Sequence, residues 1–195
     1  MSFHLLGRKT TRAFRVLWLL EELGVDYDFT PMEPRSDDVR ALNHTGKVPV
    51  LKHGDLVLSD SVAIMTYISD YTGQFTHKAG SERRARQDQL TQFLVSEVDA
   101  VIWAAAKHAF ALPKEQRVQD ARTTAKWEFM RAQDWLLGYL GDNLYLSGET
   151  PTIADILATH CLDWVSAIKW DVDPRFDPYL SRMRTRPAYV RAQTK

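Results

Sequence analysis

Cysteine is nearly missing from this chain. Cys161 stands alone among 195 residues, so an intramolecular disulfide is impossible and a CxxC metal or redox centre is excluded. Excess charge is missing too: 25 Lys and Arg balance 25 Asp and Glu, and the pI is near 7.0. Without a basic field, no nucleic-acid partner is expected. Arg83, Arg84 and Arg86, and the stretch from Arg182 to Arg191, are locally positive and read as solvated helix faces. No apolar run approaches the roughly 18 residues needed to span a membrane. Nor does a basic segment followed by a long apolar run open the chain as a secretory signal. The expectation is a cytoplasmic protein with no membrane partner. Internal repeats and low-complexity tracts are absent as well.

What is present can build a core. Hydrophobic residues make up 45% of the chain, with six Trp and eight Phe, and the length suits one large domain or two small ones. Phe3 to Leu6 reads as a short strand ending at Gly7. Ala13, Val16, Leu17, Leu20 and Leu23 repeat with helical spacing, and Gly24 supplies a stop. Tyr27 to Thr30 is a second strand, and Ser36-Asp37-Asp38 starts a short helix that fades by Asn43. Val48 to Lys52 and Leu56 to Leu58 flank the turn His53-Gly54-Asp55 as a hairpin, and a helix follows from Ser61 to Tyr71. This order, βαβαββα, predicts an α/β domain with a mixed four-stranded sheet: the crossover makes its strands parallel, the hairpin antiparallel.

Strand signals end at a stretch poor in apolar residues, Thr72 to Ser81. Beyond it the pattern predicts an all-α helical bundle. Its helices run through Leu90 to Ala105 and stop before Pro113, then from about Lys114 to Leu140, then from Thr152 to Ile168. A shorter one around Tyr179 to Met183 is closed by Pro187. Thr152-Ile153-Ala154-Asp155 has the spacing of a capping box with Asp in the acidic place, so Asp155 reads as folding hardware. Cys161, inside an apolar helix, reads as a small core residue.

The most informative segment is Gly46-Lys47-Val48-Pro49-Val50-Leu51, followed by Ser59-Asp60-Ser61 at the start of an apolar helical run. Pro49 removes a ladder donor and is tolerated only at an edge, a first residue or a bulge. With a cis bond before Pro49, Val48 would turn its N–H and C=O outward to pair with an extended peptide. The start of the helix at Ser61 would favour a carboxylate. Together these suit a small peptide ligand with a free acidic end. Taken singly, each has a plainer reading: only about 5–6% of X-Pro bonds are cis, and Asp60-Ser61 can be a helix cap with no ligand.

Four segments in order resemble a cytosolic glutathione transferase over nearly the whole chain: Arg15 to Gly24, Gly46 to Leu51, Asp60-Ser61, and Thr152 to Ile156. The likeness is to bacterial-type members with a Ser/Thr-like first loop. It implies a thioredoxin-like glutathione-binding domain over residues 1–75, a linker over 76–84, and an all-α electrophile-binding domain over 85–195. It further implies a homodimer, glutathione as co-substrate, no metal, and a small hydrophobic electrophile. On this reading Pro49 is cis, Val48 pairs with the cysteinyl backbone of glutathione, and Asp60 and Ser61 hold its γ-glutamyl end. A hydroxyl in the first loop would stabilise the thiolate; counting back from Glu21-Glu22-Leu23-Gly24 puts Thr10 on the usual Ser position, with Thr11 one residue away.

Other candidates carry a plain alternative each. Arg12 would stabilise the thiolate by its charge or project into solvent. Lys47 and His44 would meet the glycyl carboxylate or remain exposed loop side chains. Asp99, Trp103 and Phe110 would line the electrophile pocket; aromatics at helical spacing, Trp164 above all, are more often core. The chain departs from the family in several places: Thr replaces Ser or Tyr, Asp60 stands where Glu is more usual, the Asn43-to-Gly46 loop lacks a Pro, and the first loop has no Cys. The last departure argues against mixed-disulfide chemistry, and the missing Ser-Ser-Cys stretch against a glutathione-dependent isomerase. A peroxidase on the same scaffold and a non-catalytic binding or assembly module are the remaining alternatives.

Overall fold

A computed structural model describes residues 2–195. It divides into two compact units, one formed by residues up to 79 together with 182–195, the other by 80–181. In the first unit the order is β1 (Phe3–Gly7), α1 (Ala13–Leu23), β2 (Tyr27–Pro31), α2 (Asp37–Leu42), β3 (Val50–His53), β4 (Leu56–Ser59) and α3 (Ser61–Thr72). The sheet runs β2-β1-β3-β4, with β1 and β2 parallel and the other two pairs antiparallel. This is the mixed, thioredoxin-like βαβαββα arrangement expected from the sequence. The hairpin between β3 and β4 turns on two residues, Gly54 supplying the positive φ.

One strand boundary differs from the sequence reading. β3 begins at Val50, not Val48, and its last rung with β1 pairs Leu6 with Val50. A further rung would fall on Pro49, which has no N–H to give.

Helix α1 is the hub of this unit. All nine residues from Ala13 to Glu21 are buried, as befits a helix that is apolar nearly all round. It packs on β1, α3 and the C-terminal helix α9 (Pro187–Thr194). Tyr189 of α9 sets its ring edge-on to Trp18 and Phe14, at 4.8 and 5.5 Å. Arg186 forks onto both carboxylate oxygens of Glu22, and Arg191 bonds Glu21 at 2.7 Å. Although burial pushes the Glu21 carboxyl up, hydrogen bonds from Tyr27, Arg191 and Lys195 hold it below the usual range. Residues 182–195, assigned from sequence to the all-α domain, therefore belong to the first unit. Pro187 does not close a helix; it opens α9 from the first-turn position, where its missing N–H costs nothing.

The second unit is all-α, as expected. A continuous helical stretch comprises α4 (Glu82–Phe93), a π-helical turn (Leu94–Asp99), α5 (Ala100–Ala106) and a second π turn (Lys107–Ala111); α6 (Gln119–Leu140) and α7 (Ile153–Ala167) follow, and α8 (Asp177–Arg184) runs across the division. The α6 helix starts later than its apolar pattern suggests. Arg117 is extended and turns its guanidinium back onto the carbonyls of Leu112, Ala109 and Phe110 at 2.8, 3.2 and 2.8 Å, closing the preceding helix.

The capping box at α7 forms as read. Asp155, fully buried, accepts from the Leu146 and Thr152 N–H groups at 2.9 and 2.8 Å and from the Tyr179 hydroxyl at 3.2 Å. Burial pushes its carboxyl up to about 6 in spite of these donors. No helix among the described residues is long and apolar enough to cross a membrane.

Candidate active site

Three stretches of the first unit meet at Gly7. A Cβ there would lie 2.8 Å from the Ala13 Cβ, 3.4 Å from the Val48 Cβ and 3.6 Å from the Pro49 Cα. The end of β1, the start of α1 and the Val48-Pro49 peptide thus share one corner that a larger residue would force apart.

The Val48–Pro49 bond is cis. Pro49 is buried, Val48 half-buried and Lys47 exposed. Lys47 is held in the preceding turn: its N–H donates to the Thr45 hydroxyl at 3.3 Å and its carbonyl accepts from the Asn43 amide at 2.8 Å. Val48 lies outside both ladders of β3, matched by neither β1 nor β4.

Asp60 and Ser61 open α3. Asp60 sits at φ 78°, ψ 125°, a conformation unusual for any residue but Gly, and its carboxylate caps the helix by accepting from Val62 and Ala63 N–H at 2.9 and 3.0 Å. The cap reading of Asp60 therefore holds, with one carboxylate oxygen engaged by the helix. Ser61 is only 1% exposed, and its hydroxyl accepts from Nη1 of the wholly buried Arg15 at 3.3 Å. Accepting that bond leaves the Ser61 O–H as a donor. The guanidinium adds positive charge to a helix start that already favours a carboxylate. Arg15 lies in one of the family-like segments, but no role for it is read from the sequence. The available signal was an Arg inside a helix whose neighbours are apolar all round.

The first loop separates its two threonines. The Thr11 hydroxyl donates to the Arg8 carbonyl at 2.6 Å and accepts from the Ala13 N–H at 3.2 Å, locking the turn that leads into α1. Thr10 is exposed, and its side chain makes no hydrogen bond with any described residue. Around them, Arg8 pairs with Glu33 at 2.9 Å and Lys9 bonds the Gln193 carbonyl at 3.0 Å. Arg12, half-buried, occupies the residue before α1.

The candidates from the second unit are not drawn into one cluster. Asp99 is buried rather than facing water, with Cys161 Sγ donating to its Oδ1 at 3.9 Å. Trp103 is half-buried, its ring 6.4 Å from that of Trp164, and Phe110 is exposed. Among the described residues, no group of three or more His, Cys, Asp or Glu is arranged to hold a metal ion.

Two family profiles match this chain: "Glutathione S-transferase, N-terminal domain" over residues 1–70 and "Glutathione S-transferase, C-terminal domain" over 101–187. The chain belongs to the glutathione S-transferase family. Among curated glutathione S-transferases, it is 29% identical over 149 residues to the putative alpha-5 protein of Dictyostelium discoideum, covering 76% of this chain and 71% of that one. It is 27% identical over 146 residues to human theta-2B, covering 67% of this chain but just 56% of the human protein. A glutathione transferase homolog from Lodderomyces elongisporus, crystallised with two GSH per subunit, superposes with a TM-score of 0.88, covering 98% of this chain and 97% of its own at 21% identity. Family membership supports glutathione transferase activity in general for this chain.

Proposed function

We propose that this glutathione S-transferase conjugates glutathione to small hydrophobic electrophiles, with Thr10 activating the thiol. One observation carries the reading: the loop before α1 presents one unengaged hydroxyl, Thr10, and its base meets the cis Val48–Pro49 segment at Gly7. Glutathione-bound relatives of the same fold add support. Val48, free of the ladders, pairs with the cysteinyl main chain. The Ser61 hydroxyl and the start of α3 take the γ-glutamyl carboxylate, and Lys47 the glycyl one.

A free thiol of pKa about 8.5 is mostly protonated at neutral pH. Donation from the Thr10 hydroxyl, beside the positive start of α1 and the Arg12 charge, favours the thiolate. The thiol proton leaves to solvent, the sulfur forms a bond to the electrophilic carbon, and the leaving group departs with its electron pair. Positioning supplies the rest. Asp99, Trp103 and Phe110 stay the residues proposed to meet the electrophile.

The reading includes a homodimer. Trp135 and Tyr139 on α6 are 48% and 36% exposed and meet the Phe93 ring edge-on and tilted, at 6.2 and 5.4 Å, an aromatic patch suited to a second copy. The experiment is retention on immobilised glutathione together with conjugation of a chlorodinitrobenzene. Retention with turnover is expected; retention alone leaves a binding module, and neither removes the reading.

A further inference from the structure

Lys9, in the loop between β1 and α1, bonds a residue 184 positions away: its ammonium donates to the main-chain carbonyl of Gln193 at 3.0 Å. Both residues belong to the first unit. Gln193 lies in the last turn of α9, where carbonyls lack a partner within the helix and carry its negative end. An ammonium suits that place.

The α9 end of this bond is a fixed point. Tyr189 sets its ring against Trp18 and Phe14 of α1. Closer to the terminus, Arg191 donates to the carboxylate and to the main-chain carbonyl of Glu21, at 2.7 and 2.9 Å. Lys195 adds a contact with the same carboxylate at 3.3 Å and lies 5.6 Å from the Tyr27 ring centroid.

The loop end carries Thr10. Arg8 pairs with Glu33 at 2.9 Å, and Thr11 is locked by its own hydroxyl to the Arg8 carbonyl and the Ala13 N–H. The Thr10 hydroxyl, engaged by no described residue, goes where the main chain on either side puts it. We infer that Lys9 is a positioning residue for thiol activation: through Gln193 it fastens the first loop to α9, and so sets how the Thr10 hydroxyl meets the glutathione sulfur. The inference rests on the reading of Thr10 given above. An exposed hydrogen bond contributes little to folding. Hydrogen bonds nevertheless weaken steeply with angle, and small misplacements cost turnover out of proportion. The loss of this one should therefore show in catalysis rather than in stability.

The test uses the full-length protein. Lys9→Met should lower kcat at pH 6.5 by about three- to tenfold, move the ultraviolet titration of the bound thiolate to higher pH, and leave KM for glutathione and the urea midpoint unchanged. Lys9→Arg, which still donates to the carbonyl, should recover most of the loss. Lys9→Gln separates the tether from a direct effect of charge on the sulfur: it is neutral but keeps a donor, and should recover part. Hydrogen exchange reads the tether itself, and Lys9→Met should speed it both in the 8–12 loop and in the last turn of α9. Three results overturn the inference: an unchanged thiolate titration in Lys9→Met, kinetics of Lys9→Gln equal to those of Lys9→Met, or unaltered exchange in both segments. Thr10→Ala tells this failure from that of the underlying reading. If it too leaves the thiolate titration unchanged, activation by Thr10 falls, and the role of Lys9 falls with it.

Discussion

Arg15 and Ser61 join α1 to the start of α3: Nη1 of the buried guanidinium donates to the buried hydroxyl at 3.3 Å. The bond fixes which way the hydroxyl can donate, and it lies where the proposed γ-glutamyl carboxylate would dock. A hydrogen bond to a charged group contributes about 1.5–3 kcal/mol, so Ser61→Ala should raise KM for glutathione roughly tenfold or more. The turnover of bound substrate should change less than threefold. Arg15→Lys keeps the charge but loses the planar fork, and should fall between Ser61→Ala and the unaltered enzyme. Steady-state kinetics at varied glutathione decide the matter; an unchanged KM in Ser61→Ala removes the carboxylate from this position.

Thr10 and Thr11 should part company on substitution. Thr10→Ala removes the unengaged hydroxyl, raising the bound thiol's pKa and lowering kcat at pH 6.5 by about 10- to 100-fold, in line with the loss of one charge-assisted hydrogen bond. Thr10→Ser should restore most of it. Thr11→Ala breaks the turn bonds to Arg8 and Ala13 and should cost about 1 kcal/mol of stability, as for a lost cap, with kcat nearly intact. Ultraviolet titration of the thiolate in each variant reads this directly. The reverse pattern would move the role to Thr11.

Much of this architecture was legible because its signals are local. The capping box at Thr152 and Asp155, the hairpin around Gly54 and the Asp60 cap each lie within a few residues, and the βαβαββα order follows from period alone. Which of Thr10 and Thr11 keeps an unengaged hydroxyl is beyond counting, because it rests on which one the Arg8 carbonyl captures. The Arg15–Ser61 bond spans 46 positions and exists only once α1 and α3 pack. The C-terminal residues misled for a related reason: Pro187 serves as well at a helix start as after a helix end. Contacts distant in sequence, such as Tyr189 against Trp18 and Arg186 against Glu22, are what place α9 in the first unit.

That docking makes a prediction of its own. Glu22 has a side chain just 7% exposed and is held by Arg186 and by the Trp18 indole N–H at 2.9 Å. Arg186→Ala leaves a nearly buried carboxylate with one donor. Losing a partner of a fully buried pair costs 3–5 kcal/mol; with Arg186 partly exposed, about 2 kcal/mol is expected. Replacing Glu22 by Gln in the same chain should recover part of this, giving a coupling above 0.5 kcal/mol in a double-mutant cycle. Urea denaturation supplies the four stabilities, and strict additivity would mean that the fork contributes nothing.

Asp155 should make stability fall as pH rises from about 4 to 6. Its carboxyl is pushed up to about 6 in the folded protein, against 3.8 ordinarily. Below the ordinary value both states are protonated and this contribution is complete. Between the two values the folded protein keeps a proton that the unfolded chain has released, so the contribution drains away as pH climbs through about 6, by about 3 kcal/mol at most. Asp155→Asn has no proton to lose and cannot accept from the Leu146 and Thr152 N–H groups through two oxygens, so it should be less stable throughout but flatter. The gap between the two proteins should narrow from pH 4 to pH 7 in urea midpoints. A widening gap would mean that the donors around Asp155 outweigh its burial, and that the folded protein prefers the carboxylate.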